Sequence, residues 1–522
     1  MQNPLLFVLL YIGSIECANI LALVPVNSRS HFIVMEPLFK ALASRGHQIT
    51  VVSPFPQKKP LPNYTDIDIS KWFPSKGKSF SIDFIKSNAG LQGLLCFKAI
   101  AGIGDVTCDV IYSDQRVSKL YNSTGKFDLV ITEIFSSDCF VLFAEKFDVP
   151  LISFVTSVSL PWSNDRIGNP DNPSYIVNYI NDFAHQMSFY ERAINTATLI
   201  YIKMINYYHA DLAHRKTVNK FFGDEAPEFH EVYNRRTALI FVNSHYTVNQ
   251  PRPMVPNFVE VGGIHLQQSE PLPKDLQDML DKAKDGFILF SMGTLVNCTT
   301  FSDHVLSSFM NTFITFGNLL VLWKYDGKLP NQPKNVITRK WMPQKDILVH
   351  KNVKMFITHG GLSSTLEAVN AGVPVLGIPM FGDQPANIMN LVRRGAGISI
   401  DYDDITTEKL TSSIREIIED KSYKENAVKL STLFKDRPQS ALDSAIFWTE
   451  HVLRHKGALH MRSAAADMPL YKLLLLDVTL IFLAIIIVIC AGFYKITNYF
   501  LGLATSTKLR EKSTTKIRAK RD

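Results

Sequence analysis

Net charge is what most of this sequence lacks. The formal balance over 522 residues is +7, but the eight Lys and Arg between Lys495 and Asp522, set against Glu511 and Asp522, account for +6 of it. The remaining 494 residues carry only +1. A near-neutral body offers no basic stripe to a phosphodiester backbone, so nucleic acid is excluded as a partner. Internal repeats and low-complexity segments are also missing, which excludes a solenoid. No G-x-G-x-x-G follows a strand: the first apolar run passes through Val26-Asn27-Ser28 without a glycine, and Ala101–Asp105 (AGIGD) lacks the third one. That absence argues against a dinucleotide-dependent oxidoreductase. Charged residues are few, 20% against 46% apolar, which excludes disorder over most of the length.

What is present begins with two apolar segments at the ends. Leu5–Ile12, followed by small residues around Ser14, Cys17 and Ala18, reads as a secretory signal peptide over 1–17. Leu473–Phe493 is a near-continuous apolar stretch, long enough as a helix to cross about 30 Å of hydrocarbon. Its one charge, Asp477, lies near the lumenal end, and Tyr494 and Lys495 open a basic tail over 494–522 that the positive-inside rule assigns to the cytosol. The expectation is a type I protein of the endoplasmic reticulum membrane, its span in lipid and its body lumenal. Sequons at Asn63, Asn122 and Asn297 suit that compartment as glycosylation sites. Of six cysteines, Cys17 leaves with the signal and Cys490 lies in the span. An oxidising lumen permits a disulfide among Cys96, Cys108, Cys139 and Cys298 without fixing the pairing.

A chain of this length suits two domains of roughly 200 residues each. Asn19–Val26 and Ile49–Pro54 are continuous apolar runs of the kind buried on both faces of a parallel sheet, and His31–Gly46 between them has helical spacing. Phe127–Ile134 and Val149–Ser157 continue the pattern, so residues 18–250 read as a doubly wound α/β domain. Tyr175–Phe222 is dense in aromatic residues, read first as core packing and alternatively as an apolar wall or a membrane-facing surface. A proline-rich stretch over 251–273 reads as a linker holding one strand at Phe258–Gly262. Strand signals resume at Gly286–Ser291, Leu319–Lys324, Val353–Thr358 and Val373–Ile378, giving a second α/β domain over 274–460.

The chemistry concentrates in Phe356–Gln384, FITHGGLSSTLEAVNAGVPVLGIPMFGDQ. A buried strand ends at Thr358, Gly360-Gly361 turns the backbone, and Ser363-Ser364 opens a helix whose free N–H groups and positive dipole end suit a diphosphate. His359 and Ser364 add donors, and Glu367, one turn further, can accept ribose hydroxyls. Taken alone, a Gly-rich turn with serine caps explains the same residues equally well.

The spacing of His359, Gly360, Gly361, Ser364, Glu367, Pro374, Pro379, Asp383 and Gln384 resembles the signature of the UDP-glycosyltransferase family, with WMPQ at Trp341–Gln344 and FSMGT at Phe290–Thr294 as supporting motifs. The resemblance covers nearly the whole chain and is closest to the animal microsomal branch, with insect-like details. It implies a GT-B architecture, two facing Rossmann-like domains, with the donor on the second. It further implies that Trp341 stacks on uracil, that Gln344 reaches the uridine, and that Thr294, His359, Gly361 and Ser364 hold the diphosphate. Glu367 takes the ribose, and Asp383 and Gln384 the sugar. Ser363 departs from the pattern, standing where plant relatives have Asn.

The resemblance also makes His31 the base that deprotonates an acceptor hydroxyl. Its position at a helix N-terminus is expected to disfavour imidazolium. The family's partner Asp is replaced by Glu133, with Asp138 as the alternative carboxylate. The implied transfer is inverting and metal-independent, from UDP-glucose or UDP-glucuronate to a small lipophilic acceptor, as in detoxification, without a cofactor. Asp-x-Asp pairs at Asp66–Asp68 and Asp401–Asp403 are read as loops, and Asp404 as a helix cap. A non-catalytic UDP-sugar carrier on the same fold is the rival, and self-association of the chain stays open.

Overall fold

The computed structural model describes residues 17–73, 80–88, 94–208, 214–223 and 226–520. The expected signal segment lies outside them except for Cys17. Among the described residues, seven parallel strands form the first sheet: β1 (Asn19–Leu23), β2 (Gln48–Ser53), β3 (Tyr64–Asp68), β4 (Leu129–Glu133), β5 (Leu151–Val155), β6 (Thr237–Val242) and β7 (Phe258–Glu260). Their order is β3-β2-β1-β4-β5-β6-β7. Six more form the second sheet: β8 (Phe287–Ser291), β9 (Leu320–Lys324), β10 (Val336–Arg339), β11 (Val353–Thr358), β12 (Val375–Gly377) and β13 (Gly397–Ser399), ordered β10-β9-β8-β11-β12-β13. Both are doubly wound, and together they make the GT-B architecture.

The unbroken apolar runs of the central strands follow from this layering. Side chains alternate across a strand, so Ile20, Ala22 and Ile131 face the core that holds Phe32, Met35 and Phe39 of helix α1 (Arg29–Ser44). Leu21, Leu23 and Val130 face the opposite core, against Ile111 and Phe143. In the second sheet Phe290 stacks on Trp323, ring centroids 4.4 Å apart, within a cluster that includes Phe309 and Phe313.

Four sequence expectations change. Asp66 and Asp68 belong to edge strand β3, paired in register with β2, and Asp66 Oδ2 accepts from the Gln57 backbone N–H at 3.0 Å. The helix Thr407–Glu419 is capped by Thr406, whose hydroxyl accepts from Lys409 N at 3.2 Å, so Asp404 is not the cap. Core packing of the aromatic segment holds for Tyr179, which is buried, whereas Phe189, Tyr190, Met204 and Tyr207 on or just beyond the helix Phe189–Asn206 are exposed. Helical periodicity fixes which residues share a face but not whether a neighbour covers it. Finally, the helix Ala441–Arg454, within the range expected for the second domain, packs Ala441, Ala445 and Val452 into the first domain's core. Arg45 holds it there with two bonds to Glu450, at 2.5 and 3.1 Å.

The residues beyond Ala466 form a separate unit, dominated by a helix of 43 residues, Leu476–Arg518. Among the described residues it is the one helix long and apolar enough to cross a membrane, and it continues through most of the basic tail.

Cys108 and Cys139 form a disulfide that ties the helix Leu94–Ser113 to the connection after β4, while Cys298 is buried and free. The bridge closes a loop with a sequence separation of 31 and so restricts the unfolded chain. Replacing both cysteines by serine is expected to lower the melting temperature of the detergent-solubilised chain by the equivalent of roughly 2–4 kcal/mol. An unchanged melting curve would show that the crosslink contributes nothing.

Candidate active site

In a parallel sheet, ligands gather at the carboxyl ends of the strands where the order reverses, because connections leave on opposite faces there and open a crevice. In the first sheet this point lies between β1 and β4, which are paired with Leu23 opposite Thr132. His31 is in the first turn of α1, reached from the end of β1, and Glu133 is the last residue of β4. Their side chains meet: His31 Nδ1 and Glu133 Oε1 are 2.5 Å apart. Thr156, just past the end of β5, donates from its hydroxyl to the same carboxylate oxygen at 2.7 Å and lies 3.1 Å from Nδ1. Phe135 packs edge-on against the imidazole with centroids 4.6 Å apart. With Nδ1 committed to Glu133, Nε2 is the nitrogen left to exchange a proton with a ligand.

Burial by itself lowers the His31 pKa, but the charge and hydrogen bond of Glu133, with a further contribution from Asp383, raise it above the ordinary value of 6.5. The expectation that the helix N-terminus disfavours imidazolium is therefore corrected: a carboxylate in contact outweighs a partial dipole charge. Asp138 does not reach His31. It is buried in an ion pair with Arg166, whose guanidinium also lies over the Tyr233 ring at 4.6 Å.

The second crevice lies between β8 and β11. Gly360 follows β11 with φ of +84°, and a Cβ there would sit 2.5 Å from Ile388 Cγ1, so only glycine fits. The helix Leu362–Ala371 then starts with Gly361 as its N-cap residue, and no side chain caps it. Its first N–H groups are a ready anion site. His359 is buried, and burial together with the Lys324 charge brings its pKa down to about 4, so it is neutral at pH 7. Gly293 bends the neighbouring loop at φ +69°, and Thr294 after it is exposed.

One turn into that helix, Gln344 Nε2 donates to Ser364 Oγ at 2.9 Å and to Glu367 Oε2 at 2.6 Å, which joins these three residues in one network. Burial pushes the Glu367 carboxyl up to about 7, against the pull of the Gln344 bond. Trp341 exposes 71% of its surface, which rules out a core role and leaves an indole face for stacking. Asp383 is pushed up to about 6, again by burial, and accepts from Asn387 Nδ2 at 3.0 Å. Asn387 Nδ2 also lies 3.0 Å from the Gly360 carbonyl, linking the two motif loops. Gln384 is buried, with its Oε1 holding Met380 N at 2.9 Å and Phe381 N at 3.2 Å, so its amide nitrogen alone remains for a ligand.

Sequence reasoning missed Thr156, Asn387 and His265. Thr156 carried a usable signal, a polar residue directly after an apolar strand at the same sheet edge as Glu133. Asn387 is one helical turn after Asp383. His265, 3.8 Å from Glu367 Oε1 and brought down to about 4 by burial, carried none, because only the fold brings the linker beside the motif helix. Of the sequons, Asn63 and Asn122 are exposed, and Asn297 is half-buried with its Oδ1 accepting from Thr299.

A family model described as "UDP-glucoronosyl and UDP-glucosyl transferase" matches residues 20–511. A UDP-glucosyltransferase of Dactylopius coccus is 43% identical over 465 residues, covering 88% of this chain and 89% of the relative. A UDP-glucuronosyltransferase of Mus musculus is 31% identical, covering 95% of this chain and 94% of its own. Among solved structures, a UDP-glucose: anthocyanidin 3-O-glucosyltransferase in complex with UDP aligns with a TM-score of 0.55 at 17% identity, over 84% of this chain and 99% of that one, a likeness of fold.

Because Glu133 raises the His31 pKa, Glu133→Gln is expected to lower it. Carbethoxylation requires neutral imidazole, so the pH midpoint of His31 modification, read by mass spectrometry, should move to lower pH in the variant. An unmoved midpoint would mean that the carboxylate does not act on this ring.

Proposed function

The chain belongs to the UDP-glucuronosyl and UDP-glucosyl transferases, and from that premise we propose that it moves glucose or glucuronate from a UDP-sugar to the hydroxyl of a small lipophilic acceptor, with inversion at the anomeric carbon. The observation that carries the reading is the 2.5 Å contact of His31 with Glu133 at one crevice, within electrostatic reach of Asp383 at the other. The domain of the first sheet, residues 18–250 together with the returning helix Ala441–Arg454, binds the acceptor, and the remainder of 274–460 binds the donor. His31 Nε2 takes the acceptor proton while Glu133, steadied by Thr156, balances the imidazolium. The freed oxygen attacks the anomeric carbon in line. The bond from that carbon to the β-phosphate oxygen breaks, and the charge on departing UDP grows toward the N-terminus of the helix Leu362–Ala371. Trp341, Gln344 and Glu367 hold the uridine, Thr294, His359, Gly361 and Ser364 the diphosphate, and Asp383 and Gln384 the sugar. No cofactor or divalent ion has a role in this scheme.

The same reading makes 1–17 a signal peptide and the long C-terminal helix a single type I anchor in the endoplasmic reticulum membrane, with the body lumenal and glycosylated at Asn63, Asn122 and Asn297. Work in detoxification fits an apolar acceptor.

His31→Ala is expected to cut turnover by roughly 10²–10⁴-fold and leave UDP affinity unchanged. The base works only as neutral imidazole, and its pKa is raised, so the wild-type rate should fall as pH drops through a value above 6.5. Glu133→Gln should shift that limb to lower pH and depress the plateau. Asp138→Asn breaks the buried pair with Arg166 and should lower the melting temperature while leaving the limb in place. Full activity of His31→Ala in a UDP-release assay would overturn the mechanism.

A further inference from the structure

One segment of the first domain's chain is built into the second. Helix α2 (Ile82–Asn88) falls in sequence between β3 and the helix Leu94–Ser113, yet Ile82 and Ile85, 3% and 5% exposed, belong to the same core as Phe290, Phe309 and Trp323. Its entry is fixed by main-chain bonds. Phe80 N donates to the Leu295 carbonyl at 2.6 Å, and Asn297 N donates to the Phe80 carbonyl at 3.0 Å, a parallel bridge between Phe80 and Val296. Ile82 N donates to Thr300 Oγ1 at 3.0 Å. At the far end Lys86 pairs with Asp403 and lies over the Tyr402 ring at 5.3 Å. A helix this short cannot stabilise itself, so these contacts with the second domain are what order it.

The ring of Phe80 marks what the segment braces. It stacks on Phe84, centroids 4.9 Å apart, and meets Phe381 edge-on at 6.2 Å. Phe381 stands two residues before Asp383, and Leu295, which bonds the Phe80 backbone, directly follows Thr294. One first-domain residue thus touches both the loop that carries Thr294 and the loop that carries Asp383, while among the described residues none of its bonds reaches Trp341, Gln344 or Glu367.

We propose that Phe80–Asn88 is a clasp by which the acceptor domain positions the diphosphate-binding and sugar-binding loops of the donor domain, with Phe80 as its positioning residue. The assignment rests on the donor roles proposed above for Thr294 and Asp383. Seating the clasp sets the spacing of the two loops, so the sugar end of the donor is held through the first domain and the uridine end is not. An aromatic edge contact is worth little beyond its area, and its loss through a shifted loop should weaken UDP-sugar binding about 2- to 10-fold.

The test uses the full-length chain in detergent and compares equilibrium affinity for UDP-sugar with affinity for uridine. In Phe80→Ala, UDP-sugar affinity should fall and KM for the donor should rise by that factor, with uridine affinity and kcat little changed. Phe80→Tyr, which keeps the ring, should restore the wild-type values. Lys86→Glu attacks the clasp at its other end and should reproduce the loss, and adding Asp403→Lys should rescue it. Equal losses for uridine and UDP-sugar would make the segment merely structural, and wild-type donor binding in both Phe80→Ala and Lys86→Glu would overturn the clasp. A wild-type chain that binds no UDP-sugar would instead remove the proposed function, and the clasp with it.

Discussion

Each sheet of this molecule is parallel throughout, and each reverses its strand order once, between β1 and β4 and between β8 and β11. Right-handed crossovers leave these as the places where neighbouring connections diverge to opposite faces. Almost every residue of chemical interest depends on that constraint. His31 and Glu133 are 102 residues apart in sequence and meet because the ends of adjacent strands are about 5 Å apart. The motif helix beginning at Leu362 starts at the second crevice for the same reason.

Burial and pairing compete at each of these groups, and the winner differs from one to the next. At His31 a buried carboxylate in contact wins, and the imidazolium is favoured. At Asp383 and Glu367 amide hydrogen bonds are too weak to offset burial, and both carboxyls are pushed up, to about 6 and about 7. At His359 no carboxylate opposes burial and the ring is brought down to about 4. Two crevices built on the same topology thus shift their histidines in opposite directions. One pairs an imidazole with a carboxylate, and the other sets a neutral His359 and two buried carboxyls near a helix N-terminus.

Much of the architecture was legible because a strand buried on both faces has little freedom in composition. Runs such as Val353–Thr358 and Leu319–Lys324 mark such strands directly. Edge strand β3 reads as a loop in sequence because one face is partly open and tolerates Asp66 and Asp68. The contiguous glycosyltransferase motif is equally plain, its residues lying on one strand, turn and helix. Illegible were the relations that cross the sheet or the chain: Thr156 on Glu133, Arg166 on Asp138, His265 beside Glu367, and Ile82 and Ile85 in a foreign core. Periodicity reports that a side chain is buried, and only the tertiary fold names its neighbour.

The return of the helix Ala441–Arg454 to the first domain has a mechanical side. Beyond it the chain runs through Ala465 and Ala466, which lie so close over Gly168 that a Cβ there would approach the Ala466 amide to 2.5 Å. Any leash drawn through the residues beyond Ala466 is therefore moored to the domain that carries His31, and its tension bypasses the second sheet. The second sheet carries such a pull only through its contacts with the first, among them the segment Phe80–Asn88.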